Sequence, residues 1–128
     1  MIAVDTNVVV RHLTRDDPEQ AERARHLMLR GAVISSTVML ETVWVLQSSY
    51  RYTRQQIAMV LDTMILSEGI EIENQTGMIE ATAAYRAGLD FADALHLAGC
   101  HASVFATFDT DLAKRASAHF SAPNVITP

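Results

Sequence analysis

With Cys100 as its only cysteine in 128 residues, the chain can form no intrachain disulfide. A lone cysteine of this kind reads as a small buried hydrophobe on a helix. Long apolar runs are missing as well: each is interrupted well short of the roughly 20 residues a membrane span needs. Met1 leads straight into "IAVD" with no basic segment or cleavage site, so a signal peptide is not expected and the cytoplasm is the default location. Positive charge is scarce. Ten Lys and Arg against fifteen Asp and Glu leave a net charge of −5, the wrong balance for a passive binder of polyanions. Linkers, repeats and low-complexity tracts are lacking too. What remains is one domain, residues 1–128, large enough to bury a core.

A hydrophobic fraction of 49% with 20% charged residues is ordinary for a globular chain. Short apolar runs alternate with helical periodicities. "IAVD" (Ile2 to Asp5) reads as a buried strand ending on a carboxylate, with a short helix from Val8 to Leu13 after it. Asp16-Asp17-Pro18 opens a helix that "EQAERARHLMLR" continues to Gly31. "AVIS" is a strand, and Ser36 and Thr37 are placed to cap the helix that follows. Thr53-Arg54-Gln55-Gln56 matches a capping box, opening a helix through Ser67 that Gly69 ends before the strand "IEI". Further helices are expected from Thr76 to Ala87, over "DFADALHLAGCHA" and over "DTDLAKRASAH", with strands at "VFAT" and "NVIT". This alternation predicts a three-layer α/β/α fold around a mostly parallel sheet of about five strands. Ligand sites of such sheets form beyond the carboxyl ends of the strands.

Several acidic residues fall where that rule points. Asp5 ends the first strand, and Asp109 follows "VFAT" directly. Glu41 lies about one turn into the helix after the second strand, inside the apolar run "VMLETVWVL", with no Lys or Arg between Arg30 and Arg51. Asp93 stands in the first turn of a small-residue helix. Each has a plainer explanation. Asp5 and Asp109 suit helix caps, and Asp93 suits a capping arrangement with Asp90. Glu41 as a structural group would require a buried base. Together the four are expected in one crevice, and like charges about 4 Å apart repel by roughly 4 kcal/mol at an effective dielectric near 20. A divalent cation reverses that sign, and oxygen donors without Cys suit Mg²⁺ or Mn²⁺ rather than Zn²⁺. Two such ions can activate water and stabilise the leaving oxygen of a phosphodiester. His96, one turn from Asp93, reads as packed or solvated rather than as a ligand. The methionines, Trp44 and the phenylalanines read as core. Arg11, Arg15, Arg51, Arg54, Lys114 and Arg115 are scattered and read as solvated surface, some of them available to phosphate.

The stretches "VDTNVVVRHL", "SSTVMLETVWVL", "DFADALHLA" and "VFATFDTDLAKRA", in this order, closely resemble a PIN-domain protein, and more narrowly a VapC-type toxin of a toxin-antitoxin pair. The resemblance covers nearly the whole chain. It implies that Asp5, Glu41, Asp93 and Asp109 are a metal-binding catalytic quartet. Thr6 or Asn7 would orient the first-strand site, and Thr107 would assist through its hydroxyl. It further implies an endoribonuclease dependent on Mg²⁺ or Mn²⁺, with water as nucleophile, homodimerisation, and inhibition by a cognate antitoxin. "FDTD" offers both Asp109 and Asp111 for the fourth acidic position, Asp111 being the alternative or a metal-adjacent residue.

Two other enzyme-like plans fit poorly. A haloacid-dehalogenase-type phosphatase resembles D-x-D after its first strand, whereas Asn7 stands two residues beyond Asp5. A response-regulator receiver wants adjacent acidic residues on strand one and a strand-end Lys, neither of which is present. The rival from another class is a catalytically weak PIN-fold protein that binds RNA or a peptide without cutting.

Overall fold

The structure, a computed structural model, describes residues 1–128, which divide into two compact units, Met1–Gln75 and Thr76–Pro128.

The first unit runs β1 (Ile2–Ala3), α1 (Thr6–Thr14), α2 (Pro18–Arg30), β2 (Ala32–Ile34), α3 (Ser36–Ser48), α4 (Arg54–Leu66) and β3 (Ile70–Ile72). Its strands form a parallel sheet in the order β1-β2-β3, with Ile2 opposite Ala32 and Ala32 opposite Ile70. Parallel neighbours need long crossovers, and helix pairs supply both of them here. β2 is the central strand, so Ala32 and Ile34 are fully buried. The helix starts follow from local chemistry. Asp17 caps α2 by accepting the Gln20 N–H, with Pro18 in the first turn. Thr53 and Gln56 complete the expected capping box on α4, each side chain bonding the other's backbone N–H. After α4 the chain turns at Gly69 with φ +82°, and a Cβ there would lie 2.9 Å from the Met28 carbonyl oxygen. Only glycine meets both demands without strain.

The second unit begins within α5 (Gln75–Arg86) and continues through α6 (Phe91–Ala98), β4 (Val104–Ala106), α7 (Thr110–Arg115), a 3-10 turn at Ala116–Ala118 and β5 (Asn124–Ile126). β4 and β5 pair in parallel, Val104 opposite Asn124. The unit's aromatic centre is Tyr85 against Phe91, edge to face with ring centroids 5.5 Å apart. Both rings are buried.

The α/β class and the parallel pairing agree with expectation. The details differ in several places. The five strands pair as a three-stranded and a two-stranded sheet, and each strand is only two or three residues long. "IAVD" is strand only at Ile2–Ala3, and Ile2 is exposed rather than buried. Asp5 already caps α1, so the backbone leaves the sheet early and α1 runs longer than the expected Val8 to Leu13. Ser35 caps α3, not Ser36 or Thr37, because its hydroxyl reaches the Val38 N–H at 3.3 Å. α6 stops at Ala98, which leaves Cys100 beyond the helix and half-buried. Of the residues read as core, Met28, Met39, Met64, Met78, Phe91 and Phe120 are buried. Trp44, Met1, Met59 and Phe108 are exposed.

Candidate active site

In the first unit, α1 begins on Asp5, whose Oδ1 accepts the Thr6 N–H at 2.8 Å. The capping role is therefore real. It uses one carboxylate oxygen and leaves Oδ2 for another partner. Glu41 projects from α3, whose buried stripe is Met39, Thr42, Val43 and Leu46. Helical spacing puts Glu41 and Trp44 off that stripe, and both are exposed. The cost of desolvating Glu41, inferred from its apolar neighbours in sequence, is not incurred. Asp5 and Glu41 instead line one cleft of about 360 Å³ beside Thr6, Asn7, Arg11 and Tyr50. The Thr6 hydroxyl is buried without a hydrogen-bond partner.

A network missed in the sequence borders this cleft. The Arg11 Nε donates to the Gln20 amide oxygen at 2.8 Å, and Nη1 donates to Asp16 at 3.2 Å and to the Tyr50 hydroxyl at 3.3 Å. The Tyr50 hydroxyl donates in turn to Asp16 at 2.6 Å, and this bond is the main cause that holds the Asp16 carboxyl below its ordinary range. Arg11 is thus a fixed cation rather than a scattered surface base. Its partners Gln20 and Tyr50 lie 9 and 39 residues away, so no local spacing signals them.

In the second unit, Asp90 caps α6 by accepting the Asp93 N–H at 3.3 Å. Asp109 caps α7, its Oδ1 accepting the Leu112 N–H at 3.0 Å. The Thr107 hydroxyl accepts the Asp109 N–H at 3.0 Å and so fixes the start of that turn. Burial raises the Asp93 carboxyl above its ordinary value, and the charges of Asp90 and Asp109 push it further while His96 pulls the other way. A proton is therefore held more tightly in the folded chain. The stability this carboxyl contributes is complete below its ordinary pKa and declines as pH rises through the raised one. Asp111 takes no part in that crowding. It is exposed and pairs with Arg115 at 3.5 Å, and of the two acids of "FDTD" only Asp109 adds to the charges acting on Asp93, after Asp90. His96 is exposed on α6.

Within neither unit do three His, Cys, Asp or Glu side chains gather on one metal-sized point. Each unit offers instead a pair of carboxylates with uncommitted oxygens. Such donors fit Mg²⁺ or Mn²⁺, since Mg²⁺ typically takes one or two carboxylates, keeps several waters and binds substrate phosphate. They do not fit a closed structural zinc site, which wants four protein ligands rich in Cys and His.

The sequence profile of the PIN domain family matches residues 2–118, a span that includes most of both units, and the chain belongs to that family. Membership agrees with the α/β class of the fold. PIN domains are typically metal-dependent nucleases, so at the coarse level this is a nuclease-type hydrolase with a nucleic-acid substrate. No curated protein and no solved structure matched the chain. No helix is long and apolar enough to cross a membrane.

Proposed function

We propose that the protein is an endoribonuclease dependent on Mg²⁺ or Mn²⁺, acting in the cytoplasm as the VapC-type toxin of a type II toxin-antitoxin system. In this reading residues 1–128 work as a single PIN domain, homodimeric and restrained by a cognate antitoxin. Asp5, Glu41, Asp93 and Asp109 would be the acidic metal ligands, with Thr6, Asn7 and Thr107 supporting them. The observation that carries the reading is the double use of the strand-end carboxylates. Asp5 and Asp109 each give Oδ1 to a helix cap and keep Oδ2 free. The cap fixes the carboxylate's direction without consuming its capacity to bind a cation.

The chain's own groups divide the work. The backbone N–H groups of Thr6 and Leu112 hold Asp5 and Asp109 still, which limits the reorganisation needed when a ligand arrives. Asp93 is poised to take up positive charge because burial, and then the charges of Asp90 and Asp109, disfavour its ionised form. Bound Mg²⁺ or Mn²⁺ would supply water of lowered pKa and charge stabilisation for the leaving oxygen. Arg11, fixed at the margin of the first-unit cleft, offsets phosphate charge in a chain of net charge −5.

Total cellular RNA incubated with the purified protein tests the proposal. Discrete fragments in Mg²⁺ or Mn²⁺ that disappear in EDTA are expected, and end mapping of them names the cleavage sequence. Intact RNA in every condition, with metal binding shown separately and RNA retained on the protein, would favour a binding role without cleavage. Induction in bacteria tests the toxin role. Growth arrest is expected from the wild-type chain and not from Asp5→Asn.

A further inference from the structure

A second cleft, of about 510 Å³, lies between α1 and α2 and is lined by Asn7, Arg11, Gln20 and Arg23, with Val8, Ala24 and Leu27 as apolar wall. No Asp or Glu lines it. In a chain whose acidic residues outnumber its basic ones by fifteen to ten, this lining holds two arginines and no carboxylate, and Asp16, outside the lining, pairs with Arg11 and not with Arg23. Asn7 and Arg11 line this cleft and the acidic one alike. The two are therefore neighbouring compartments that meet at one pair of side chains.

We propose that the α1–α2 cleft is a phosphate subsite for single-stranded RNA, taking the backbone next to the phosphate engaged at Asp5 and Glu41. The proposal rests on the nuclease reading and adds where the flanking strand lies. Arg11 is prepared for the task. Its Nε and Nη1 are occupied by Gln20, Asp16 and Tyr50, which sets the plane of the guanidinium and leaves Nη2 uncommitted. An arginine already held in place loses less side-chain entropy on binding than a free one. Arg23, one turn from Gln20 on α2 and exposed, supplies the second charge. Val8, Ala24 and Leu27 offer an apolar wall for a ribose or the face of an unpaired base, which a base-paired duplex does not present. An acidic peptide would satisfy the arginines but gives no reason for the shared boundary with the acidic cleft.

The test is equilibrium binding of a fluorescent single-stranded RNA in EDTA over a range of salt, with wild type, Arg23→Gln and Arg23→Lys. Each phosphate contact to a single strand contributes about 0.7 to the slope of log affinity against log salt. Arg23→Gln is expected to flatten the slope by about that amount and weaken binding several-fold at low salt, with an unchanged melting temperature. Arg23→Lys is expected to restore the slope, because a point charge suffices for a phosphate. If wild type binds RNA and Arg23→Gln gives the same slope and affinity, the subsite is wrong while the nuclease reading stands. If wild type binds no RNA in either EDTA or Mg²⁺, both fail. If Arg23→Gln instead abolishes binding of a poly-glutamate peptide and leaves RNA untouched, the cleft serves a protein partner and the subsite is overturned.

Discussion

The two pairs of carboxylates are set by the same local device in different electrostatic company. Asp5 after β1 and Asp109 after β4 both stand where a short strand gives way to a helix, and both spend one oxygen on the cap. Beside Asp5 and Glu41 stands Arg11, held by Asp16, Gln20 and Tyr50 at the margin of the same cleft. Beside Asp93 and Asp109 stands a third acid, Asp90, and the charges of Asp90 and Asp109 add to the burial that disfavours the ionised Asp93. Arg115 of α7 is turned to Asp111 and to the Ala87 carbonyl oxygen. One pair has an arginine at its cleft, itself paired with Asp16, and the other has a third carboxylate. A strand-end aspartate thus acquires its character from what packs beside it, and the second-unit pair has more to gain from an added cation.

Substitutions within the second pair give the largest expected effect. Asp109→Asn keeps an oxygen for the cap and removes the charge, so stability is maintained and cleavage falls by more than about 100-fold, beyond what residues that only orient a metal ligand usually cost. Asp111→Asn is expected to retain nearly all activity, because an exposed pair such as Asp111 with Arg115 is worth little. Rates of RNA cleavage decide this. Activity that follows Asp111 instead would reverse the assignment.

Metal-dependent melting sharpens the contrast. A ligand that binds only the folded chain stabilises it by about 2.7 kcal/mol at a hundred times its Kd. Mg²⁺ or Mn²⁺ is expected to raise the melting temperature, and Glu41→Gln to shrink the rise. Asp93→Asn is expected to shrink it as well and also to raise the metal-free melting temperature at neutral pH, since it removes a carboxylate whose ionised form burial and the charges of Asp90 and Asp109 disfavour. An undiminished rise in Glu41→Gln would remove Glu41 from the site.

The smallest effect concerns the Arg11 side of the comparison. Asp16 has a depressed pKa, chiefly through the Tyr50 hydroxyl, so its contribution to stability is present above its ordinary value and is lost as pH falls through the lowered one. Tyr50→Phe is expected to return the Asp16 pKa toward its ordinary value, read by NMR titration, and to narrow that acid window. An unmoved Asp16 would assign its shift to Thr14 and Arg11 instead.

What was legible in the sequence was mostly short range. The capping box at Thr53 and Gln56, Pro18 after Asp17, and Gly69 before β3 each act within a turn, so the residues themselves disclose them. The alternation of elements disclosed the parallel α/β class for the same reason. Glu41 and Trp44 were harder. An apolar run reads as a buried helix, yet the buried stripe of α3 takes only part of it and leaves residues 41 and 44 facing outward. The extent of pairing was also hidden, because strands of two or three residues are set by packing rather than by pattern. Candidate acids could be named from their places at strand ends. Their surroundings could not, since the Arg11 network and the crowding of Asp93 join side chains that the sequence keeps apart.

The most direct test of the central claim compares one carboxylate from each unit in the same assay. Purified wild type, Asp5→Asn and Asp93→Asn, each shown to be folded, are given the same RNA in Mn²⁺. Discrete cleavage by wild type and a loss of more than about 100-fold in both variants are expected, as for groups that bind the reacting metal rather than merely orient it. Wild-type cleavage by either folded variant would contradict that claim.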